Sequence, residues 1–578
     1  MEQLKKVYHQ YYNPVVKYIF PLILLFYPFL TLNQGVDVSD STYSFSNFLF
    51  FENMEGMWVV STYVSNVVGW LLTKLPFGTT ILGLKIYATL LVSATTLLVY
   101  YMFCKWMPAW IVFIGEIIAV GFCWIPEGIL YNYLTYFLFT LGAVLLYQGL
   151  VEQKDFLLVL AGVSLGINVF VRIPNLTEMA LIVGLWYYLA GRHQGINVIA
   201  AKTGKCLAGY LIGVFIPLAG VICRFGLKGI VDMITGLTQI QSSDDTYSAF
   251  SMIVSVIDAY KRTAKWVLLI AFGIAMGMVM FFCFKGKWEI LKKSAYVTGM
   301  AVLLRFLWGR GMFSLRYYED YSSMYEWGMI GLYLIWIAGI YMLVSAKNSL
   351  EEKLWAVIVL VITAVTPLGS NNYTFQNLNN LFLTAPFGLY AYVKIFRRKA
   401  GKGILSSITF PWKAMLALLG VMILVQSIGF HSQFVFRDGM DGTKREFCFE
   451  EPKTVAGMYT TEENGKSLLE LIQYIEKKEL QEKEVVLYGD CPGLSFILDM
   501  PFAIGTAWPD LGSYAYETFV QDLEELESAP MVIIRNITGD EQSELKKAYL
   551  TGFMKSHGYV NVYNNGMYGV YITQKEIL

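Results

Sequence analysis

Repeated long apolar runs are the feature that most constrains how this chain folds. The first extends from Val15 to Leu32, and a scan for runs of roughly 17 to 25 residues, the length of a membrane-crossing helix, gives about thirteen. Their centres lie near Leu24, Leu91, Ile117, Leu141, Leu160, Val183, Ile212, Ile274, Leu303, Leu334, Val361, Phe387 and Leu418. The sequence therefore predicts a polytopic α-helical membrane protein with about thirteen transmembrane helices.

Composition and charge narrow the class of partner. The 578 residues are 56% hydrophobic and 15% charged, and the 44 basic and 44 acidic side chains cancel. Such a chain is too apolar for an ordinary soluble domain, and it has no excess positive charge to attract nucleic acid. The cysteines and histidines also lack the spacing of a zinc site. We therefore expect no nucleic acid partner.

The distribution of lysine and arginine predicts the orientation of the spans. With the N-terminus in the cytoplasm, Lys105, Lys154 and the cluster Lys285 to Lys293 fall in inner loops, as the positive-inside rule requires. We expect the first span to be an uncleaved signal anchor. An odd number of spans then places the C-terminal region outside.

The chain divides into two predicted domains. Residues 1–430 form the transmembrane domain, and residues 431–578 form an extracytoplasmic α/β domain. Outer loops 34–78 and 225–265 contain amphipathic stretches, which indicate helices that lie in the membrane interface or pack on the protein itself.

The tail has the pattern of a small α/β domain. Strand-like runs occur at Glu484–Asp490, Met531–Ile534, Tyr559–Tyr563 and Tyr568–Ile572, with a helical stretch at Glu541–Met554. Cys448 and Cys491 are the cysteines of this region, and they allow either a disulfide or two free thiols.

Two carboxylates follow the first span directly. Asp37 and Asp40 lie in the segment Gly35 to Ser44, where a membrane helix should emerge into water. Ionisable groups at such a boundary are either solvated or functional. A functional carboxylate there would accept a proton or bind a divalent cation. The position ahead of an amphipathic helix favours a catalytic role, with Asp40 as the first candidate.

Four short segments carry a resemblance to a known family. These are Ser39-Asp40-Ser41-Thr42-Tyr43, Tyr131 to Phe139, Phe170-Val171-Arg172-Ile173-Pro174-Asn175, and Val486 to Leu494. Their order resembles the C-type glycosyltransferase (GT-C) superfamily, in its protein O-mannosyltransferase and aminoarabinose-transferase branches. The acidic pair typical of the family is absent because Ser41 follows Asp40, so both Asp37 and Asp40 stay candidates for the base.

The resemblance implies a GT-C-like membrane glycosyltransferase of the bacterial cytoplasmic membrane. It would move a sugar from a polyprenyl-phosphate-linked donor to a glycan, lipid or protein acceptor at the outer face, by inverting attack with an aspartate base. Membrane lipids would be its other partners. The alternatives are a flippase or transporter for a lipid-linked sugar, a cell-surface polysaccharide polymerase or ligase, and a non-catalytic scaffold.

The remaining site candidates are basic and polar residues of the predicted outer face. Arg172, Arg310 and Arg316 would bind the donor phosphate; snorkelling or ion pairing is the alternative. A second group would bind the acceptor or sugar: Tyr43, Glu127, Asn371 and Asn372. Asp40 and Glu127 are also candidate ligands for Mg²⁺ or Mn²⁺.

Overall fold

The computed structural model describes residues 13–54, 59–124, 128–243, 249–283, 288–317, 321–369, 372–397, 410–439, 443–537 and 541–576. Helices make up the part before residue 434, and a small α/β domain follows from residue 443. The short segment 434–439 leads from one to the other.

The helices of the first part follow one another with short connections. A π-helical turn (Val15–Ile19) precedes α1, and 3₁₀ segments follow α1 (Tyr27–Phe29) and precede α8 (Ile173–Leu181). The helices are α1 (Phe20–Phe26), α2 (Asp40–Leu49), α3 (Tyr63–Thr73), α4 (Ile81–Phe103), α5 (Ala109–Phe122), α6 (Leu130–Val151), α7 (Asp155–Val169), α8 (Ile182–Gly191), α9 (Ile196–Ser243), α10 (Ala249–Cys283), α11 (Glu289–Gly309), α12 (Ser322–Val344), α13 (Leu350–Val365), α14 (Phe375–Asn379), α15 (Thr384–Arg397) and α16 (Trp412–Gln433).

Every predicted span centre falls within a helix. Six helices of the described ranges, α4, α6, α9, α10, α12 and α16, are long and apolar enough to cross a membrane. The segments Val15–Phe29, Ala109–Phe122 and Asp155–Val169 are apolar but shorter. The fold is therefore that of a helical membrane protein, while the number of crossings, about thirteen, stays a prediction.

The two long predicted outer loops are largely helical. In the first, α3 buries its small and polar residues Ser65, Asn66, Gly69 and Thr73, while Leu71 is exposed. A surface helix of a soluble protein does the opposite, because it exposes its polar residues and buries its apolar ones. The arrangement in α3 suits a membrane surface. In the second, α9 kinks at Gly226, whose φ of 65° favours glycine, and then continues to Ser243.

The C-terminal domain contains the predicted strands and helix. β1 (Phe447–Cys448) pairs with β2 (Tyr459–Thr460), and β3 (Val485–Tyr488), β4 (Met531–Arg535), β5 (Tyr559–Asn564) and β6 (Tyr568–Thr573) form a sheet in the order β3-β4-β6-β5. Only the β3–β4 pair is parallel. The helices are α17 (Glu462–Lys477), α18 (Leu494–Leu498), α19 (Tyr516–Glu524) and α20 (Glu541–Ser556). Cys448 and Cys491 are free thiols.

Backbone hydrogen bonds join the first outer loop to this domain. Gly35 N–H donates to the Tyr459 carbonyl, and Tyr459 N–H donates to the Asn33 carbonyl, each at 2.8 Å. Further along, Gly493 N–H donates to the Val38 carbonyl at 2.8 Å. These bonds satisfy loop backbone that would otherwise be buried without partners, so the loop that carries Asp40 is held directly against the C-terminal domain.

Asp438 is a buried anchor between the two parts of the chain. Its Oδ2 accepts from Val36 N–H at 3.0 Å, and its Oδ1 accepts from Thr460 Oγ1 at 2.6 Å and Asn464 Nδ2 at 2.9 Å. The Arg445 guanidinium lies 3.7 Å away. A fully buried carboxylate is stable only with such partners, so this one fixes the turn that contains Arg437.

Candidate active site

The first turn of α2 fixes the position of Asp40 through Asp37. The Oδ1 of Asp37 accepts from the N–H of Ser39 at 2.9 Å and from its hydroxyl at 2.5 Å, and Oδ2 accepts from Ser41 N–H at 2.9 Å. These bonds satisfy donors that the start of a helix leaves open. Asp37 is only 5% exposed. Because both its oxygens are engaged in the turn, this geometry favours Asp40 as the base.

Asp40 faces a polar cavity of about 630 Å³ between the helices and the C-terminal domain. It is the first residue of α2, and its side chain is 33% exposed. The cavity wall also includes Arg172, Arg437 and Asp490. Of the predicted residues, the structure thus brings Asp40, Arg172 and Asn372 to one cavity.

Arg437 contacts two carboxylates with a single nitrogen. Its Nη1 lies 3.3 Å from Asp40 Oδ2 and 3.4 Å from Asp490 Oδ2, and it donates to Ser39 Oγ at 3.2 Å. The backbone of Arg437 has a φ of 47°, a left-handed conformation that is costly for arginine. Asp438 stabilises that turn, so the guanidinium is held at the cavity.

Asp490 reaches the cavity from the C-terminal end of β3. The Oδ2 of Asp510 accepts from Gly489 N–H at 3.2 Å and from Asp490 N–H at 2.7 Å. Arg535, at the end of the neighbouring β4, donates from Nη1 to the Asp490 carbonyl at 3.3 Å. Gly489 and Asp490 both have positive φ, 96° and 54°. These bonds hold a strained turn that aims the Asp490 carboxylate at Arg437.

Both carboxylates that contact Arg437 are weaker acids than free aspartate. Burial raises the pKa of Asp40 to about 6; Arg437 opposes this shift, and Asp37 and Asp490 add to it. Burial likewise raises the pKa of Asp490 to about 6, against the attraction of Arg437. Burial is the largest cause of both shifts, and the net negative charge of two carboxylates on one cation acts in the same direction.

Arg172 lies on another part of the cavity wall. It precedes the 3₁₀ segment Ile173–Leu181, its Nη1 donates to Asn132 Oδ1 at 3.5 Å, and its guanidinium lies 5.6 Å from the centre of the Tyr131 ring. Glu178, an alternative partner, instead accepts from Asn168 Nδ2 at 2.7 Å. Arg172 forms no salt bridge within the described ranges.

Aromatic rings and amides complete the cavity. Trp124 lies 5.2 Å from Phe375 and 5.4 Å from Tyr321 between ring centres. The amide side chains of the wall are Asn132, Asn372, Gln376 and Asn379. Rings that pack on apolar sugar faces and amides that bind hydroxyls are the side chains that carbohydrate recognition needs.

The other predicted residues lie elsewhere. Arg310 and Arg316 are exposed and are not in the cavity wall. Tyr43 connects α2 to the C-terminal domain, through its hydroxyl 3.3 Å from Thr506 Oγ1 and its ring 5.3 Å from the centre of the Trp508 ring. Glu127 and Asn371 lie outside the described residues.

The described residues do not form a set of metal ligands. No three His, Cys, Asp or Glu side chains among them form a group that could hold a metal ion. Mg²⁺ and Mn²⁺ require several oxygen ligands, whereas a guanidinium contacts both Asp40 and Asp490. The predicted Asp40–Glu127 metal site stays a prediction, because Glu127 lies outside the described residues.

An apolar cavity of about 360 Å³ lies between α5, α12, α15 and α16. One face of α5 lines it with Trp110, Ile114, Ile118 and Phe122. On the other helices the wall includes glycines, whose lack of a side chain leaves the space open: Gly328, Gly331, Gly388 and Gly420. Several residues that line the polar cavity lie next to the ends of these helices in the sequence. Trp124 follows α5, Tyr321 precedes α12, and α14 precedes α15.

Comparison with known proteins finds similarity in structure alone. No family model matches the sequence, and no curated protein matches it. ArnT from Cupriavidus metallidurans, solved with undecaprenyl phosphate, has a TM-score of 0.49 and 10% identity over 96% of this chain and 97% of its own.

A second group of similar structures comes from Archaeoglobus fulgidus. Its oligosaccharyltransferase with zinc and sulfate has a TM-score of 0.46 and 12% identity over 97% of this chain and 73% of its own. The form tethered to an NVT acceptor peptide gives 0.46 and 12% over 98% and 75%. Both alignments extend over nearly the whole length of this chain.

Proposed function

We propose that this protein is a membrane glycosyltransferase that moves a sugar from a polyprenyl-phosphate-linked donor to a glycan, lipid or protein acceptor. The observation that carries the proposal is the position of Asp40, which lines a polar cavity together with Arg172 and Arg437. The reaction takes place at the outer face of the bacterial cytoplasmic membrane, with the C-terminal domain outside.

Asp40 is the catalytic base in this proposal. Its carboxylate removes the proton of an acceptor hydroxyl, which attacks the anomeric carbon with inversion. A base works best when its pKa lies close to the working pH, and the pKa of Asp40, about 6, meets that condition. Asp37 holds the turn, as its three hydrogen bonds support.

The leaving group is the lipid phosphate, and Arg172 stabilises its charge. The phosphate leaves as a monoester anion and needs no proton. A guanidinium that forms no salt bridge within the described ranges is available for a phosphate, which it binds with two parallel hydrogen bonds. Arg310 and Arg316 would contact the phosphate only while the head group lies outside the cavity, since both are exposed there.

The apolar cavity receives the first isoprene units of the donor. It lies beside the polar cavity along the same helices, so a phosphate near Arg172 and a prenyl chain along α5 belong to one elongated ligand. Because the prenyl chain enters from the bilayer and not from water, the cavity binds it by van der Waals packing. Asn372, with the neighbouring amides, binds hydroxyls of the transferred sugar or acceptor. Glu127 and Asn371 are proposed, as predicted from the sequence, to bind the acceptor or the sugar.

The test is transfer by the purified full-length protein in proteoliposomes. Radiolabelled polyprenyl-phosphate sugars serve as donors, and a bacterial membrane extract supplies the acceptors. We expect wild type to release polyprenyl phosphate and to label an acceptor, and Asp40→Asn to do neither. Movement of intact donor across the bilayer without cleavage would instead identify a flippase.

A further inference from the structure

We infer that Arg437 exchanges partners during the reaction: the donor phosphodiester takes this guanidinium from the Asp40–Asp490 pair, and the pair takes up one proton in its place. This inference rests on the proposed function, because it concerns the phosphate of the same donor. It assigns to the C-terminal domain, through Asp490, a direct part in donor binding.

The shared contact is the first step of the argument. One nitrogen of Arg437 lies within 3.4 Å of carboxylate oxygens of both Asp40 and Asp490. Such a cation neutralises only one of the two charges. The side chain is 47% exposed at the cavity, so an entering phosphate reaches it without displacing packed residues.

The second step is the cost of removing the cation. If the phosphate binds Arg437, two facing carboxylates remain in a partly enclosed site, and like charges so close do not both stay ionised. A proton bound to one of them removes that repulsion and leaves the other ionised as the base. Donor binding and proton uptake are therefore coupled.

The charges around the pair favour the uptake of a proton when the donor binds. Asp37 before α2 and Asp510 before α19 both add negative charge near the pair, and Arg535 on β4 offsets part of it. Glu544 and Lys547 of α20, and Arg172, also line the cavity. Within the described ranges, no other cation contacts both carboxylates as Arg437 does, so a proton supplies the neutralisation once Arg437 has moved to the phosphate.

Binding of a non-reacting phosphodiester tests the inference. The probe is a short-chain polyprenyl methyl phosphodiester, whose single charge does not titrate near neutral pH, added to the full-length protein in detergent. Calorimetry in buffers of different ionisation enthalpy measures proton uptake directly. We expect uptake of up to one proton, so the affinity of wild type falls by as much as tenfold per pH unit between pH 6 and pH 8.

Variants separate the inference from a structural role of the same residues. Asp490→Asn, which removes one charge permanently, should bind the probe with an affinity independent of pH, and Asp40→Asn should do the same. Arg437→Gln should lose at least tenfold in affinity. Asp499→Asn is the matched control, because Asp499 shares the φ of 54° of Asp490 but is exposed outside the cavity, and asparagine tolerates this conformation.

The outcomes also separate this inference from the proposed function. Wild-type affinity that does not change with pH, or Arg437→Gln that binds like wild type, overturns the exchange. Absence of sugar transfer in proteoliposomes overturns the proposed function and is measured independently of the binding assay. If Asp490→Asn does not fold, Asp40→Asn gives the same measurement from the other carboxylate.

Discussion

Asp40 of α2 and Asp490 of the C-terminal domain contact the same nitrogen of Arg437, at 3.3 and 3.4 Å. Residues far apart in the sequence thus form one charged cluster on the cavity wall. The cluster connects the α-helical part to the α/β domain by electrostatics as well as by backbone hydrogen bonds. Its energetic effects are open to direct measurement.

Replacement of Asp40 should abolish catalysis without unfolding the protein. We expect Asp40→Asn to lower the rate of sugar transfer by about 10²- to 10⁴-fold, the usual contribution of a general base. Asp37→Asn should instead destabilise the fold by about 1–3 kcal/mol, because an amide cannot accept all three hydrogen bonds. Transfer rates and thermal unfolding of both variants check this. Equal loss of activity in two variants of equal stability would contradict the assignment.

The rate of transfer should depend on pH below neutrality. The pKa of Asp40, raised to about 6 chiefly by burial, means that the base becomes protonated as the pH falls through 6. At saturating donor, where the pH dependence of donor affinity has no effect on the rate, we expect kcat to fall on that side and to level off above pH 7. In Asp490→Asn the fall should move to lower pH, since a negative neighbour has been removed. A rate that is constant from pH 5 to pH 8 would exclude Asp40 as the base.

Docking of the C-terminal domain should depend on Gly493. A Cβ there would lie 1.7 Å from Thr42 Oγ1, so Gly493→Ala forces apart the helix that carries Asp40 and the domain that carries Asp490. We expect a loss of about 1–3 kcal/mol in stability and of most transfer activity. Gly552→Ala is the control, because a Cβ there meets nothing within 4 Å. Similar unfolding temperatures for the two variants would show that the contact is unimportant.

The apolar cavity should select donors by chain length. Gly331→Leu places a side chain in the cavity, where a Cβ at this position first meets Ile423 at 3.5 Å. We expect the KM for a long-chain donor to rise by about tenfold, equivalent to 1.4 kcal/mol, and the KM for a donor of two isoprene units to stay unchanged. Gly299→Leu, on α11 and outside the cavity wall, is the control. Equal effects on both donors would place the prenyl chain elsewhere.

Replacing each of the three arginines predicted to bind the phosphate should show which of them contributes to donor binding. We expect Arg172→Gln to weaken donor binding by at least tenfold, since a charge-assisted hydrogen bond to a phosphate is lost. Arg310→Gln and Arg316→Gln, both exposed outside the cavity, should change it less than twofold. Binding of the same phosphodiester probe checks this. A stronger effect at Arg316 than at Arg172 would reverse the assignment.

The helices, and the position of Asp40 close to the first of them, were predictable because their signals are local. A run of apolar residues specifies a helix wherever it lies in the chain, and an acid at the end of the first run is identified by its position. The strands of the tail also follow from alternation and turn residues. Arg172 could be predicted because it stands at the end of a helix, before Pro174.

Arg437 and Asp490 were missed because their roles arise only when the domain docks. Each looks like an ordinary charged residue next to a turn, and no spacing relates either one to Asp40. The sequence did contain one indication of a role for Asp490, because this residue follows a buried strand and Gly489. Arg310 and Arg316 were predicted to bind the donor phosphate but lie outside the cavity wall. An arginine beside aromatic residues does not indicate which way its loop faces.

The hydrogen bonds between Asn33, Gly35 and Tyr459 have a consequence for biosynthesis. Tyr459 is made after α16, so the surroundings of Asp40 are incomplete until the ribosome finishes the C-terminal domain and that domain folds. Until then its carboxylate lacks both Arg437 and the wall contributed by β3. Under the proposed function, an unfinished chain therefore cannot transfer a sugar.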